Sequence, residues 1–389
     1  MSDLAQRMEL LQAEGAYAVL NKATTLERKG RKIIHFEIGQ PDFPTPKIVS
    51  DAGIAAIKKG MTKYNPPLGI LPLRKAIANE INKTRNISIS ENQIAITPSG
   101  KSAIFAAMAA VIEKGDEIMY PDPGFPTYHA LVDFFGGIRR PIPLKESSGF
   151  SFDMKVFKKY FSKKTKVIIL NSPSNPTGGV MPQKDLEEIA DMVKGSSCWV
   201  ITDEMYSKII YDLKKYPSFY AINKIRNQTI LVDGFSKTFS MTGWRIGYLA
   251  VPLKIIDKID YLLTHTFGCT ATFTQYAVLE GLSHPNTFIK EMVREFDKRR
   301  KFVVSELNKI KGVTCQMPIG AFYVFPNISS FGKSSKFIAN YLLEKGGVAT
   351  LDGTSFGKYG EGYLRISYAT SMRELKEGIQ RIKNALGKL

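Results

Sequence analysis

The chain has little of what holds small secreted or metal-built proteins together. Its three cysteines, Cys198, Cys269 and Cys315, are widely spaced in 389 residues, with no C-x-x-C pair. That argues against a disulfide framework and a cysteine-built zinc site. The four histidines are scattered too, so no metal site is expected. No apolar run reaches the length of a membrane span. The first dozen residues carry Asp3, Arg7 and Glu9 and lack the apolar core of a signal peptide, so a cytoplasmic protein is expected. Internal repeats and low-complexity tracts are missing, which sets aside solenoids and disordered linkers. Acidic side chains are in the minority, 36 against 54 lysines and arginines, for a formal net charge of +18. Such an excess can mark a nucleic-acid surface. Here the basic residues come in short groups, such as Lys163-Lys164 and Lys214-Lys215, several beside acids on expected helices. That pattern favours a solvated basic face that attracts small anions, with no nucleic-acid partner.

What is present fits a soluble globular enzyme: 44% hydrophobic and 23% charged residues, in a chain long enough for two or three cores. Short β-branched runs at 93–97, 117–120, 167–170, 199–202 and 229–232 predict strands. Apolar residues at helical spacing predict helices over 14–29, 48–58, 71–84, 102–112 and 183–193. Strands alternating with helices make the chain α/β, with a mostly parallel sheet covered on both faces. In such sheets chemistry gathers at the carboxyl ends of the strands. A short strand at 33–38 runs into the proline-rich segment G-Q-P-D-F-P-T-P at 39–46. After Pro285 a long charged helix over 286–309 opens an α+β region, with strands near 321–325 and 363–367.

One stretch, D-G-F-S-K-T-F-S-M-T-G-W-R-I-G-Y at 233–248, sets Lys237 among small, hydroxylated and aromatic residues, with Arg245 eight positions on. Desolvation there disfavours the ammonium form. A neutral amine condenses with an aldehyde to a Schiff base, and an arginine fork suits phosphate. An aldehyde carrying a phosphate describes pyridoxal phosphate. The competing reading is a surface loop with an ordinary lysine and arginine. T-P-S-G-K-S at 97–102 stands at a strand-to-helix junction, where backbone N–H groups and the helix dipole favour an anion. Its G-K-S mimics the end of a P-loop, but Ala95 stands where that loop needs glycine. Asp203 follows W-V-I-T at a strand end. A buried acid there needs a cation, and a protonated ring nitrogen fits; alternatively Asp203 caps a helix over 204–210. Arg365, in Y-L-R-I-S-Y, lies on a largely apolar strand and must meet an anion, either a ligand or a structural acid.

The S-K-T-F-S-M-T-G-W-R-I-G-Y run closely resembles the lysine motif of pyridoxal-phosphate-dependent aminotransferases of class I/II, fold type I, aspartate aminotransferase-like. Further motifs in the same order, N-S-P-S-N-P-T-G-G, D-E-M-Y and P-D-P-G-F-P among them, extend the resemblance from about Phe36 to Thr370. The resemblance implies a large domain with a mostly parallel seven-stranded sheet between helices, and a smaller α+β domain. The division would be 1–45 for the arm and part of the small domain, 46–285 for the large domain, and 286–389 for the rest. It implies that Lys237 carries the cofactor and moves the substrate proton. Ser99, Gly100, Lys101, Ser236 and Arg245 would hold the phosphate, and Asp203 the pyridine nitrogen. Asn175 and Tyr206 would hold the phenolic oxygen, and Phe125 would stack on the ring, although a core phenylalanine remains open. Arg365, with Gly39 and Asn175, would take the substrate carboxylate. Lys101 and Tyr17 would meet its side chain at the mouth of the site. Tyr64, in K-Y-N-P-P-L-G, would reach the phosphate of a neighbouring subunit, which implies a homodimer with shared sites. The bonds Asp122–Pro123 and Asn175–Pro176 are expected to be cis. One departure stands out: Gly234 lies where many members have a serine, so one phosphate hydrogen bond is missing or supplied otherwise.

The implied activity is ping-pong transfer of an amino group from an L-amino acid to a 2-oxo acid such as 2-oxoglutarate. Aspartate, glutamate or a broad range of donors is expected. The alternatives are an aromatic or alanine aminotransferase, or a C–S β-lyase of the same fold. A transcription regulator with an aminotransferase-like half would need a helix-turn-helix module, for which a chain starting at the arm helix leaves no room.

Overall fold

The computed structural model describes residues 5–11, 13–285 and 287–389. Twelve strands occur among them: β1 Ile34–His35, β2 Ile94–Thr97, β3 Glu117–Asp122, β4 Ile138–Pro143, β5 Thr165–Asn171, β6 Trp199–Asp203, β7 Thr229–Gly234, β8 Gly247–Ala250, β9 Tyr323–Val324, β10 Val348–Ala349, β11 Leu351–Asp352 and β12 Leu364–Ser367. Seven of these form one sheet in the order β2-β8-β7-β6-β5-β3-β4. All its pairs are parallel except those of β8, which runs against β2 and β7.

The strand sequence T-K-V-I-I-L-N of β5 shows why the sheet is covered twice. Successive side chains point to opposite faces, so an unbroken apolar run must be buried on both. Val167 and Ile169 join Ile201, Ile230 and Val232 on one face, against the alanine-rich helix Gly100–Val111. Ile168 and Leu170 join Met119 and Val200 on the other, against Leu186, Ile189 and Ala190 of the helix Gln183–Val193. Each large aliphatic side chain buried this way contributes about 1.5–3 kcal/mol.

The two ends of the chain build a second layer together. β1 pairs in parallel with β10, with Ile34 opposite Val348, and Phe36 continues the seam by donating to the Ala349 carbonyl and accepting from the Ser367 N–H. β11, β12 and β9 form a three-stranded antiparallel sheet. The helix Met372–Leu386 packs beside β1 and β10 and adds Leu375, Ile379, Ile382 and Leu386 to the core of this layer. Ser371 caps that helix by accepting the Glu374 N–H. Gly378 lets the helix lie on the Phe36 ring, which any Cβ at that position would strike.

Most element positions match the sequence reading, and the helix Gln183–Val193 matches residue for residue. The differences have local causes. The strand expected at 321–325 is only β9, because Ala321 takes a left-handed backbone with φ of 58°. No helix follows Asp203: residues 204–210 form turns, with the Ser207 N–H on the Glu204 carbonyl and the Ile209 N–H on that of Tyr206. The helix expected from Asn286, a residue outside those described, runs over Thr287–Leu307. β4 is an addition to the expected strands, since Ile138, Arg139 and Arg140 are exposed on a sheet edge and two prolines interrupt the run. Asp122–Pro123 and Asn175–Pro176 are cis as expected, and Ser172–Pro173 is cis as well. No helix among the described residues is long and apolar enough to cross a membrane.

Candidate active site

The carboxyl ends of β2, β5, β6 and β7 lie along one edge of the sheet, and the candidate residues follow them. After β2 the chain turns into the helix Gly100–Val111, capped by Ser99, whose Oγ accepts the Ser102 N–H at 3.1 Å. Gly247 of β8 lies against this turn so closely that a Cβ would stand 2.7 Å from the Gly100 nitrogen. The same closeness explains the departure at Gly234, which faces Gly247 across the β7–β8 pair. A Cβ there would lie 3.1 Å from the Gly247 Cα and 3.2 Å from the Ile246 oxygen, so a serine would fit only if β8 gave way.

Asp203 ends β6 and is buried. Its Oδ2 accepts the Tyr128 hydroxyl at 2.7 Å and its Oδ1 the Met205 N–H at 3.1 Å. Burial pushes its carboxyl up to about 6, against the pull of these two donors. Tyr128 also meets Phe125 edge to face at 5.7 Å.

Lys237 stands three residues beyond β7, half-buried, with Nζ donating to the Gly39 carbonyl at 2.5 Å. Burial brings its ammonium down to about 7, helped by the charges of Arg365, Arg245 and Lys101. Ser236 beside it is buried. Arg245 is exposed, in a left-handed conformation, with Nη1 on the Thr242 carbonyl at 2.8 Å.

Arg365 of β12 is buried, its guanidinium 4.6 Å from the Tyr323 ring and 5.1 Å from that of Phe356. Nη1 donates to Asn175 Oδ1 at 3.2 Å and Nη2 to the Glu37 carbonyl, both neutral acceptors, while Nε has no partner. Tyr323 links the parts: its hydroxyl bonds that of Tyr206 at 2.8 Å and presses on Gly39, where a Cβ would collide with it. At the mouth of the cleft the Lys101 ammonium pairs with Glu14, 5.4 Å from the Phe125 ring centre and 6.0 Å from that of Tyr17.

Lys237, Arg365, Asn175 and Gly39 therefore converge directly, with Lys101, Arg245 and Tyr206 around them. Tyr64 does not join them within one chain, being 97% exposed. Tyr128, Tyr323, Glu37 and Glu14 belong to the site without standing out in the sequence. The same holds for an ionic cluster behind the site, where Arg85 pairs with Glu204 at 2.7 Å and with Asp233 at 3.5 Å.

Comparison with known proteins places the chain in a family. The family model for aminotransferase class I and II matches residues 31–382. An aspartate aminotransferase of Pyrococcus abyssi is 39% identical over 359 residues, covering 92% of each chain. Aromatic-amino-acid aminotransferase 2 of Thermococcus litoralis is 36% identical over 386 residues, covering 98% of each. The crystal structure of the aspartate aminotransferase from Rhizobium meliloti aligns with a TM-score of 0.95 at 31% identity, over 100% of both chains. The chain belongs to the class I and II aminotransferases, a family of pyridoxal-phosphate enzymes, and is a transaminase.

Proposed function

We propose that this transaminase carries pyridoxal phosphate on Lys237 and moves the amino group of an L-amino acid to a 2-oxo acid such as 2-oxoglutarate, by a ping-pong route. Acidic donors are the main class, with aromatic or apolar ones tolerated. The observation that carries this reading is the meeting, around Gly39, of a lysine of lowered proton affinity and a buried arginine whose Nε lacks a partner.

The residues fit the cofactor. Asp203 is a buried acid held by neutral donors, suited to a protonated ring nitrogen. Ser99, Gly100, Lys101, Ser236 and Arg245, with the N-terminus of the helix Gly100–Val111, suit a phosphate. Asn175 and Tyr206 offer donors to a phenolic oxygen, and Phe125 a face for the ring. Bound pyridoxal phosphate supplies an aldehyde that condenses with amines and a ring that accepts the electron pair left at Cα.

The chain's own residues do the rest. Arg365 binds the substrate carboxylate through its fork and so directs Cα toward Lys237. Tyr323 and Phe356 flank that fork and keep water from it. Lys237 Nζ, with its neutral form accessible near pH 7, takes the Cα proton. Lys101, between the Tyr17 and Phe125 rings, meets a distal carboxylate, while the rings accept an apolar side chain. Names among the relatives, aspartate and aromatic-amino-acid aminotransferase, support both classes.

The proposed division is the one expected from sequence, at 45/46 and 285/286, with chain ends joined through β1 and β10 in its support. Free thiols at Cys198, Cys269 and Cys315 fit a reducing cytoplasm. A homodimer with shared sites accounts for the bare Tyr64, and for Ile54 and Ile57 exposed on the helix Lys47–Lys58. The test is a half-reaction screen: the cofactor-loaded protein is mixed with single amino acids and its absorbance followed. Aspartate and glutamate should convert it fastest, and added oxo acid should restore it. Spontaneous restoration with release of ammonia would make it a lyase.

A further inference from the structure

Glu14 stands one residue ahead of the helix Gly15–Arg28. Its carboxylate ion-pairs with Lys101. Its side chain is only 26% exposed, and its charge is felt by Lys237, Tyr323 and Arg365, raising the proton affinity of each. Through Lys101, whose ammonium stands by the Phe125 and Tyr17 rings, this carboxylate sits at the mouth of the cleft. The arm is seated there by packing. A Cβ on Gly15 would collide with Ser355, and Ser355 is fixed by Asp352, which accepts its N–H at 3.0 Å and its hydroxyl at 2.9 Å. The next residue, Phe356, flanks Arg365.

Lys101, Arg245 and Arg365 make the cleft attractive to anions, and Glu14 is the carboxylate that opposes them at its mouth. Chemically it is the same group as the end of an aspartate or glutamate side chain. A lysine ammonium is a mobile point charge on a flexible stem and passes readily from one carboxylate to another. We propose that Glu14 is a specificity-determining residue: its carboxylate holds Lys101 while an uncharged amino acid is bound, and gives Lys101 up to the distal carboxylate of an acidic one. This rests on the reading that acidic amino acids are donors and that Lys101 meets their side chains. With an aromatic substrate the retained pair keeps the ammonium neutralised beside an apolar group, avoiding an unpaired charge. With an acidic substrate one carboxylate replaces another, so the enzyme loses no ion pair and Glu14 turns to solvent.

The experiment compares Glu14→Gln, Lys101→Ala and the double variant, all cofactor-loaded, with aspartate and phenylalanine. Without its internal competitor Lys101 binds acidic substrates better. Glu14→Gln should lower the KM for aspartate by about two- to tenfold, the range set by partly exposed and charge-assisted pairs. It should also raise the preference for aspartate over phenylalanine in kcat/KM. Lys101→Ala should raise the aspartate KM, and Glu14→Gln should then bring no further gain, because the competition is gone. If the wild type transaminates neither aspartate nor glutamate, the substrate reading and this proposal fall together. If aspartate is a substrate and depends on Lys101, but Glu14→Gln leaves its KM unchanged or raises it, only the exchange at Lys101 is overturned. A full effect of Glu14→Gln in the Lys101→Ala background would overturn the exchange as well, since Glu14 would then act on something other than Lys101.

Discussion

The Lys237 ammonium is disfavoured twice, by burial and by the charges of Arg365, Arg245 and Lys101. A lysine brought down to about 7 has a testable consequence. Protein stripped of cofactor should take up added pyridoxal phosphate faster as pH rises through about 7 and level off above it, because only the neutral amine attacks. An ordinary lysine would keep accelerating up to about pH 10. A rate still climbing beyond about pH 9 would show that burial does not act on this amine as described. Tyr128 is the second residue with a defined task, since it gives a buried carboxylate its hydroxyl donor. Removing a hydrogen bond to a charged group costs about 1.5–3 kcal/mol. Tyr128→Phe should therefore lower kcat/KM by roughly tenfold to a hundredfold and loosen the cofactor on dialysis. Kinetics and cofactor retention equal to the wild type would mean that Asp203 is held by its surroundings alone.

β1 and the residues after it show how a two-residue strand can matter to a site. Glu37 supports Arg365 through its carbonyl, while its own side chain is wholly buried. His35 balances it, donating from Nδ1 to Glu37 at 2.7 Å and from Nε2 to Glu27 at 3.1 Å. The hydrogen bond to Glu37 is the largest cause holding His35 protonated up to about 9, with Glu27 adding to it against burial. A raised folded pKa means that the stabilisation is complete below the unfolded value of about 6.5 and lost as pH climbs through about 9. His35→Gln should cost about 1 kcal/mol at pH near 6, a figure discounted for the partly exposed ring, and almost nothing near pH 10. Denaturant midpoints of both proteins across this range supply the check, and a constant gap would contradict it. Elements such as β5 and the helix Gln183–Val193 are legible in the sequence because their apolar pattern alone sets how they must be covered. β4 is not, because its outer residues meet water at the sheet edge. Lys237, Asp203 and Arg365 are legible as charges set in apolar or small surroundings, which demand a partner. Glu14, Tyr128 and Tyr323 are not, because each acquires meaning from a contact across 87, 75 or 117 residues of chain.

Across the whole molecule, some of the basic side chains are tied down locally. On the helix Thr287–Leu307, Arg299 pairs with Asp42 and Glu295, Arg300 with Asp297 and Asp212, and Lys301 with Asp297. The proposed dimer follows from what one chain leaves uncovered at Tyr64. If the sites are shared, a Lys237→Ala chain and a Tyr64→Ala chain should complement each other. Mixed dimers contain one site with both residues intact, so activity should recover toward about a quarter of the wild type. No recovery after verified subunit exchange would mean that each chain builds its site alone. The expectations for the site depend on Lys237 being the cofactor's point of attachment. Borohydride reduction of the cofactor-loaded protein, followed by mapping of the pyridoxyl-bearing peptide, tests this directly. The label should lie on Lys237 alone; a label on any other lysine, or none that survives denaturation, would contradict the account.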